Sequence, residues 1–151
     1  LFQDDLQTAV PVPVASSALM QVGMVNALLP KGRRAGVLTI SASTLTPAHL
    51  AAAGVPEGTP IGSTEGGHAF TRAILGDEAV LEPAQARADI VAAARAMGAD
   101  HADLGALVLE CTNMPPYAAD VRAATGLPVF SIETFVTWFQ AGLRPRRFQV
   151  G

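Results

Sequence analysis

The chain has 151 residues, half of them hydrophobic and 15% charged, with a formal net charge of −3. That length suits one domain with a sizeable core. Only Arg144, Arg146 and Arg147 form a basic group, read as a solvated tail, so the footprint of a nucleic-acid binder is missing. A single cysteine, Cys111, excludes an internal disulfide and fits a reducing compartment. No apolar run is long enough to span a bilayer and no signal peptide is visible, so a cytoplasmic protein with no membrane or nucleic-acid partner is expected.

Leu1-Phe2-Gln3-Asp4-Asp5-Leu6 opens without methionine or cap and reads like the middle of a helix, as a fragment would. Val10-Pro11-Val12-Pro13-Val14 is an edge strand or strand end at best, because proline cannot donate to a ladder. Ser16-Ser17 offers an N-cap for a helix over about 18–29, ended by Pro30-Lys31-Gly32. Ala35-Gly36-Val37-Leu38-Thr39-Ile40 is a continuous apolar run and reads as a buried strand. Thr46-Pro47 opens a short helix through Ala53, with threonine as cap and proline in the first turn. A short strand at Pro60-Ile61-Gly62 leads into a helix over about 69–75. Residues 83–97 give the clearest helix, with Ile90, Val91, Ala94 and Met97 at helical spacing and Gly98 as its stop. The strongest strand spans 104–109. A helix from Pro115-Pro116 to Ala124 ends at Gly126, a strand spans 128–132, and a last helix covers about 133–143. Strands alternating with helices predict an α/β fold, a parallel sheet flanked by helices with right-handed crossovers.

In such sheets ligands gather beyond the carboxyl ends of the strands. Two of those ends carry useful side chains: Ser41-Ala42-Ser43-Thr44, and Glu110-Cys111-Thr112-Asn113-Met114-Pro115-Pro116-Tyr117. Cys111 stands where a strand gives way to a helix that Thr112 or Asn113 is placed to cap. The positive helix end favours anions, so it would assist a thiolate and also a substrate carboxylate. A lone cysteine is equally a small buried hydrophobe. The serine loop reads as a carboxylate ligand or as a polar loop capping a helix. Glu110 should project away from Cys111, because strand side chains alternate, and is not the expected base. Glu65, in a glycine-rich loop, reads as bordering the pocket or, better, as part of a solvated loop.

Leu107-Val108-Leu109-Glu110-Cys111-Thr112-Asn113-Met114 closely resembles the second cysteine motif of the aspartate/glutamate/hydantoin racemase family, a hydrophobic strand ending in Cys-Thr and a polar residue. The resemblance continues through Gly126-Leu127-Pro128-Val129-Phe130-Ser131-Ile132 and the last helix. Gly36-Val37-Leu38-Thr39 with its polar loop resembles the strand that opens the second lobe. This implies the flavodoxin-like lobe of a two-lobed racemase fold, with one thiol from each lobe on opposite sides of the substrate's α-carbon. One thiolate removes the α-proton and the other thiol supplies a proton to the far face. The activity implied is racemisation of an amino acid or related α-carbon acid, with Cys111 as the second-lobe thiol. By the same resemblance, Thr112 and Asn113 hold the carboxylate of a small-molecule substrate, helped by Ser41, Ser43 and Thr44. No cofactor is implied, and a homodimer is common among such relatives. The residues agree on cofactors: the only lysine, Lys31, is poorly placed for a Schiff base, and His49, His68 and His101 lack metal-ligand spacing.

The family's first cysteine has no counterpart here, so the N-terminal lobe is expected to be largely missing. Residues 1–30 would be the tail of the first lobe, about 31–132 the second, and 133–151 a helix and tail packing back on the first. Three readings stay open: a two-thiol racemase; a single-cysteine decarboxylase or cis-trans isomerase of the same superfamily; and a non-catalytic ligand-binding module. No arginine sits in either strand-end loop to grip a second carboxylate, although Arg72 or Arg122 could approach in the fold.

Overall fold

The two continuous apolar runs become the centre of a four-stranded sheet in the computed structural model, which describes residues 3–149. The strands are β1 (Arg34–Thr39), β2 (Ile61–Ser63), β3 (Leu104–Leu109) and β4 (Val129–Phe130). All pair in parallel, in the order β2-β1-β3-β4. Val37 is in register with Ile61 on one side and Val108 on the other, and Val108 with Phe130. β1 and β3 are covered on both faces, which is why their sequences lack polar alternation.

The helices are α1 (Gln3–Ala9), α2 (Val22–Leu28), α3 (Pro47–Ala52), α4 (Phe70–Leu75), α5 (Pro83–Asp100), α6 (Ala118–Thr125) and α7 (Ile132–Leu143). Short 3-10 turns at Ala18–Gln21 and Pro115–Tyr117 lead into α2 and α6. On one face of the sheet, Leu38, Leu107 and Leu109 pack against Phe70, Ile90, Ala94 and Met97 of α4 and α5, and against Val121 of α6. On the other face, Ala35, Val37 and Val108 meet Leu19, Val22, Val25 and Val55. Each fully buried Leu, Ile or Val side chain contributes about 1.5–3 kcal/mol through removal of apolar surface from water.

Several boundaries differ from expectation. Gly98 does not stop α5, which runs to Asp100; a glycine costs a helix only about 1 kcal/mol against alanine, and the packing of Met97 beneath the sheet outweighs it. Glycines in the sheet make that packing feasible. A Cβ on Gly36 would stand 2.8 Å from Met97 Cε, and one on Gly62 would collide with Met97 Cγ and Sδ. The helix expected over 18–29 begins as a 3-10 turn, with the Ser17 hydroxyl accepting from Leu19 N at 3.2 Å. Residues 10–14 form no strand. The strand expected over 128–132 is reduced to Val129–Phe130 because Ser131 is spent as the N-cap of α7, in a capping box with Thr134. Among the described residues no helix is long and apolar enough to cross a membrane.

Candidate active site

From β1 the chain passes through α3 to β2 on one side, then crosses back to lay β3 on the other side of β1. Strand order therefore reverses between β1 and β3, and in such sheets ligands gather beyond the carboxyl ends at that point. The serine loop and Cys111 both stand there. Glu110 N donates to Leu38 O at 2.9 Å, carrying the ladder one step beyond the last paired residues. The Thr39 hydroxyl donates to Glu110 Oε2 at 2.8 Å, so these side chains tie the two strand ends together. Cys111 turns to the other side, into the cluster of Leu109, Met114 and Tyr117, and is 8% exposed.

The segment after Cys111 is not the capped helix expected. Met114 N closes a turn on Cys111 O at 3.0 Å, the 3-10 turn is capped by Met114, and α-helical geometry starts at Ala118. Neither Thr112 nor Asn113 caps a helix; both are exposed at the rim. The two prolines occupy the 3-10 turn itself, where their missing N–H groups cost nothing. No array of α-helical N–H groups therefore faces the sulfur. Burial pushes the Cys111 thiol above its ordinary pKa. The backbone N–H and side chain of Asn113 pull it down, and the Glu110 carboxylate pushes it up again. The expectation of a helix end favouring the thiolate is thus corrected: the net direction is upward, and the resting group is a protonated thiol.

The serine loop is organised around a group that sequence reasoning left in solvent. Glu65, just past β2, has one carboxylate oxygen receiving the hydroxyls of Ser41 (2.7 Å) and Ser43. The other receives Ala42 N (3.0 Å), Ser43 N (3.3 Å) and the Ser63 hydroxyl (2.9 Å). Those donors, the hydroxyls of Ser43, Ser41 and Ser63 foremost, hold its pKa down at about 2. The serines therefore do not cap a helix. Thr46 caps α3, in a capping box with His49, and the Thr44 hydroxyl donates to Ser41 O within its own turn. No sequence signal links Glu65 to a loop more than twenty residues earlier, apart from the three serines at neighbouring strand ends.

Asp89 was also missed. It lies 6% exposed on α5, and its carboxylate accepts from the backbone of His68 (3.0 Å), Ala69 (2.7 Å) and Phe70 (2.8 Å), capping α4 from another helix. Burial alone would raise its pKa; the three N–H donors outweigh that and the net shift is downward. A Cβ on Gly67 would stand 2.6 Å from Asp89 Cγ, so glycine lets the carboxylate reach the loop. The visible signal was an acid beside Ala86 and Ile90 on the helix stripe facing the core. Arg72 pairs with Glu78 at 3.4 Å near the far end of α4. Among the described residues no three His, Cys, Asp or Glu side chains gather to hold a metal.

A family model described as Asp/Glu/Hydantoin racemase matches residues 1–137. The chain belongs to this family. Among curated relatives, dimethylsulfoniopropionate lyase 5 of Emiliania huxleyi (strain CCMP1516) is 32% identical over 143 residues, covering 89% of this chain and 28% of that protein. A dimethylsulfoniopropionate lyase of Durusdinium sp. clade D is 45% identical over 53 residues, 35% of this chain and 18% of that one. The chain thus spans less than a third of the length of the curated relatives it matches. The crystal structure of allantoin racemase from Pseudomonas fluorescens superposes with a TM-score of 0.66 at 20% identity, covering 99% of this chain and 66% of that one. At that identity the match shows the fold, a parallel α/β sheet of the racemase type.

Proposed function

We propose that this racemase-family chain contributes Cys111 as the thiol that moves the proton on the carbon next to a substrate carboxylate. The observation carrying this reading is the position of Cys111: it stands just past β3 at the reversal point of the sheet, buried among apolar side chains, in a family whose name describes racemisation. Thr112 and Asn113, exposed on the same rim, are the groups to receive the carboxylate. Ser41 and Ser43 act indirectly, since their hydroxyls are already committed to Glu65. Burial makes the thiolate scarce at neutral pH but strong as a base once formed, which suits a weakly acidic C–H.

Two outcomes share this first step. In racemisation the carbanion is reprotonated on its other face, which needs a second acid–base group besides the one cysteine in these 151 residues. In β-elimination the electron pair released from the C–H bond forms a carbon–carbon double bond, and the bond from the β-carbon to its leaving group breaks with its own pair. The three curated relatives are named as dimethylsulfoniopropionate lyases, and they favour elimination of a neutral sulfide from a sulfonio-carboxylate. The family model and the fold favour racemisation.

The test is incubation of the full-length protein in D2O with chiral amino acids, with hydantoins and with dimethylsulfoniopropionate, followed by NMR. Loss of the α-hydrogen signal with loss of optical rotation marks a racemase; release of dimethyl sulfide and acrylate marks a lyase. Cys111→Ser should abolish either by at least about a hundredfold, the scale of a removed acid–base group. Unchanged turnover in that variant would sink the proposal.

A further inference from the structure

We propose that Glu65 sets substrate specificity, by presenting a fixed carboxylate to a positively charged group that bears no N–H and sits next to the reacting carbon. The inference rests on Cys111 being the thiol that works at that carbon, and it adds the charge and the hydrogen-bonding character of the substrate.

Placement comes first. Cys111, the serine loop and Glu65 follow β3, β1 and β2, three adjacent strands. Neighbouring strands lie about 4.8 Å apart. The hydrogen bond from Ser41 ties the Glu65 carboxylate to the chain leaving β1, the strand next to β3. A carboxylic acid of three or four carbons with a charged substituent covers that span.

Charge is the second consideration. Glu65 is exposed, and none of the ion pairs among the described residues involves it. A solvated glutamate needs no anchoring, yet this one is gripped by three hydroxyls and two backbone N–H groups from two segments of chain, residues 41–43 and Ser63. Its negative charge is therefore both permanent and held in place at the carboxyl end of the sheet. Such a charge discriminates between ligands through its field.

Saturation is the third. A carboxylate offers about four lone-pair positions, and Glu65 already accepts five hydrogen bonds. An ammonium group seeks acceptors for its N–H donors and finds them occupied. A sulfonium or quaternary ammonium group seeks none and takes only the electrostatic attraction. The site fits the onium class better than primary amines.

Calorimetric titration of the full-length protein tests this with three ligands of matched length. 3-(Trimethylammonio)propanoate carries the onium charge, 4,4-dimethylpentanoate is its neutral isostere, and 3-aminopropanoate is a cation rich in N–H. The onium acid should bind about two- to fivefold tighter than the isostere, the scale of an exposed ion pair, with the gap shrinking as salt is added. Glu65→Gln should remove that preference, weakening the onium acid more than the isostere. Equal binding of the two acids by the wild type, equal weakening of both by Glu65→Gln, tighter binding of 3-aminopropanoate, or no binding at all would each overturn the inference. The comparison within the wild type holds even if the variant folds poorly. Loss of turnover in Cys111→Ser without any charge preference would remove this inference and leave the thiol reading standing.

Discussion

Replacing Asp89 by alanine should destabilise the fold by about 2–4 kcal/mol, and the size follows from what its carboxylate caps. Of the three backbone donors, His68 is exposed and can turn to water, whereas Ala69 and Phe70 are 3% and 0% exposed. Two buried N–H groups would lose their acceptor, at about 1–3 kcal/mol each, less whatever a water entering the vacated space restores. Urea unfolding at neutral pH, followed by circular dichroism, reads the difference directly. The pH dependence supplies a second check. The folded-state pKa of Asp89 is depressed from 3.8, so its stabilisation is present in full above that value and fades as pH falls through the folded pKa. The gap between wild type and variant should therefore narrow on acidification. A loss at pH 7 below about 0.5 kcal/mol, the ordinary range of surface substitutions, would refute the assignment of Asp89 as a buried cap. So would a gap that widens in acid.

Gly62→Ala should cost about 1–3 kcal/mol by overpacking against Met97, and Met97→Ala in the same chain should recover part of it; urea midpoints of the single and double variants decide. The rate of Cys111 alkylation by iodoacetamide should rise with pH about a midpoint above that of a free cysteine, because burial favours the neutral thiol; a midpoint below the free value would contradict the environment described. By linkage, the same upward shift means that stability conferred through Cys111 is complete below the unfolded thiol pKa and declines as pH rises toward the folded one.

The sheet was legible because burial on both faces leaves a simple trace: β1 and β3 are continuous apolar runs, and helical periodicity lies between them. The position of Cys111 at a strand end was legible for the same reason. Its electrostatics were not. Proline pairs mark a helix start in general, but here a 3-10 turn intervenes and α6 begins only at Ala118, and burial decides the direction of the shift. Glu65 and Asp89 were illegible for a different reason. Each is defined by partners about twenty residues away, and sequence periodicity reports only neighbours within a turn or a strand. Gly98 shows the converse, a local stop signal overridden by the packing of the preceding Met97.

The two strand ends acquire a joint logic once their charges are set side by side. Cys111 sits high in pKa because its neighbours are apolar or anionic, with burial the larger influence and Glu110 adding to it. An onium acid held by Glu65 and worked on by Cys111 would bring a positive charge toward that sulfur. An opposite charge within about 4–6 Å favours the ionised form, so the substrate itself would draw the thiol down toward the working pH. The coupling is reciprocal: whatever the cation does for the thiolate, the thiolate does for cation binding. The alkylation midpoint of Cys111, already above that of free cysteine, should therefore fall when 3-(trimethylammonio)propanoate is bound and stay in place with its neutral isostere. A midpoint that both ligands leave unmoved, under saturating conditions, would mean that Glu65 and Cys111 do not share a substrate.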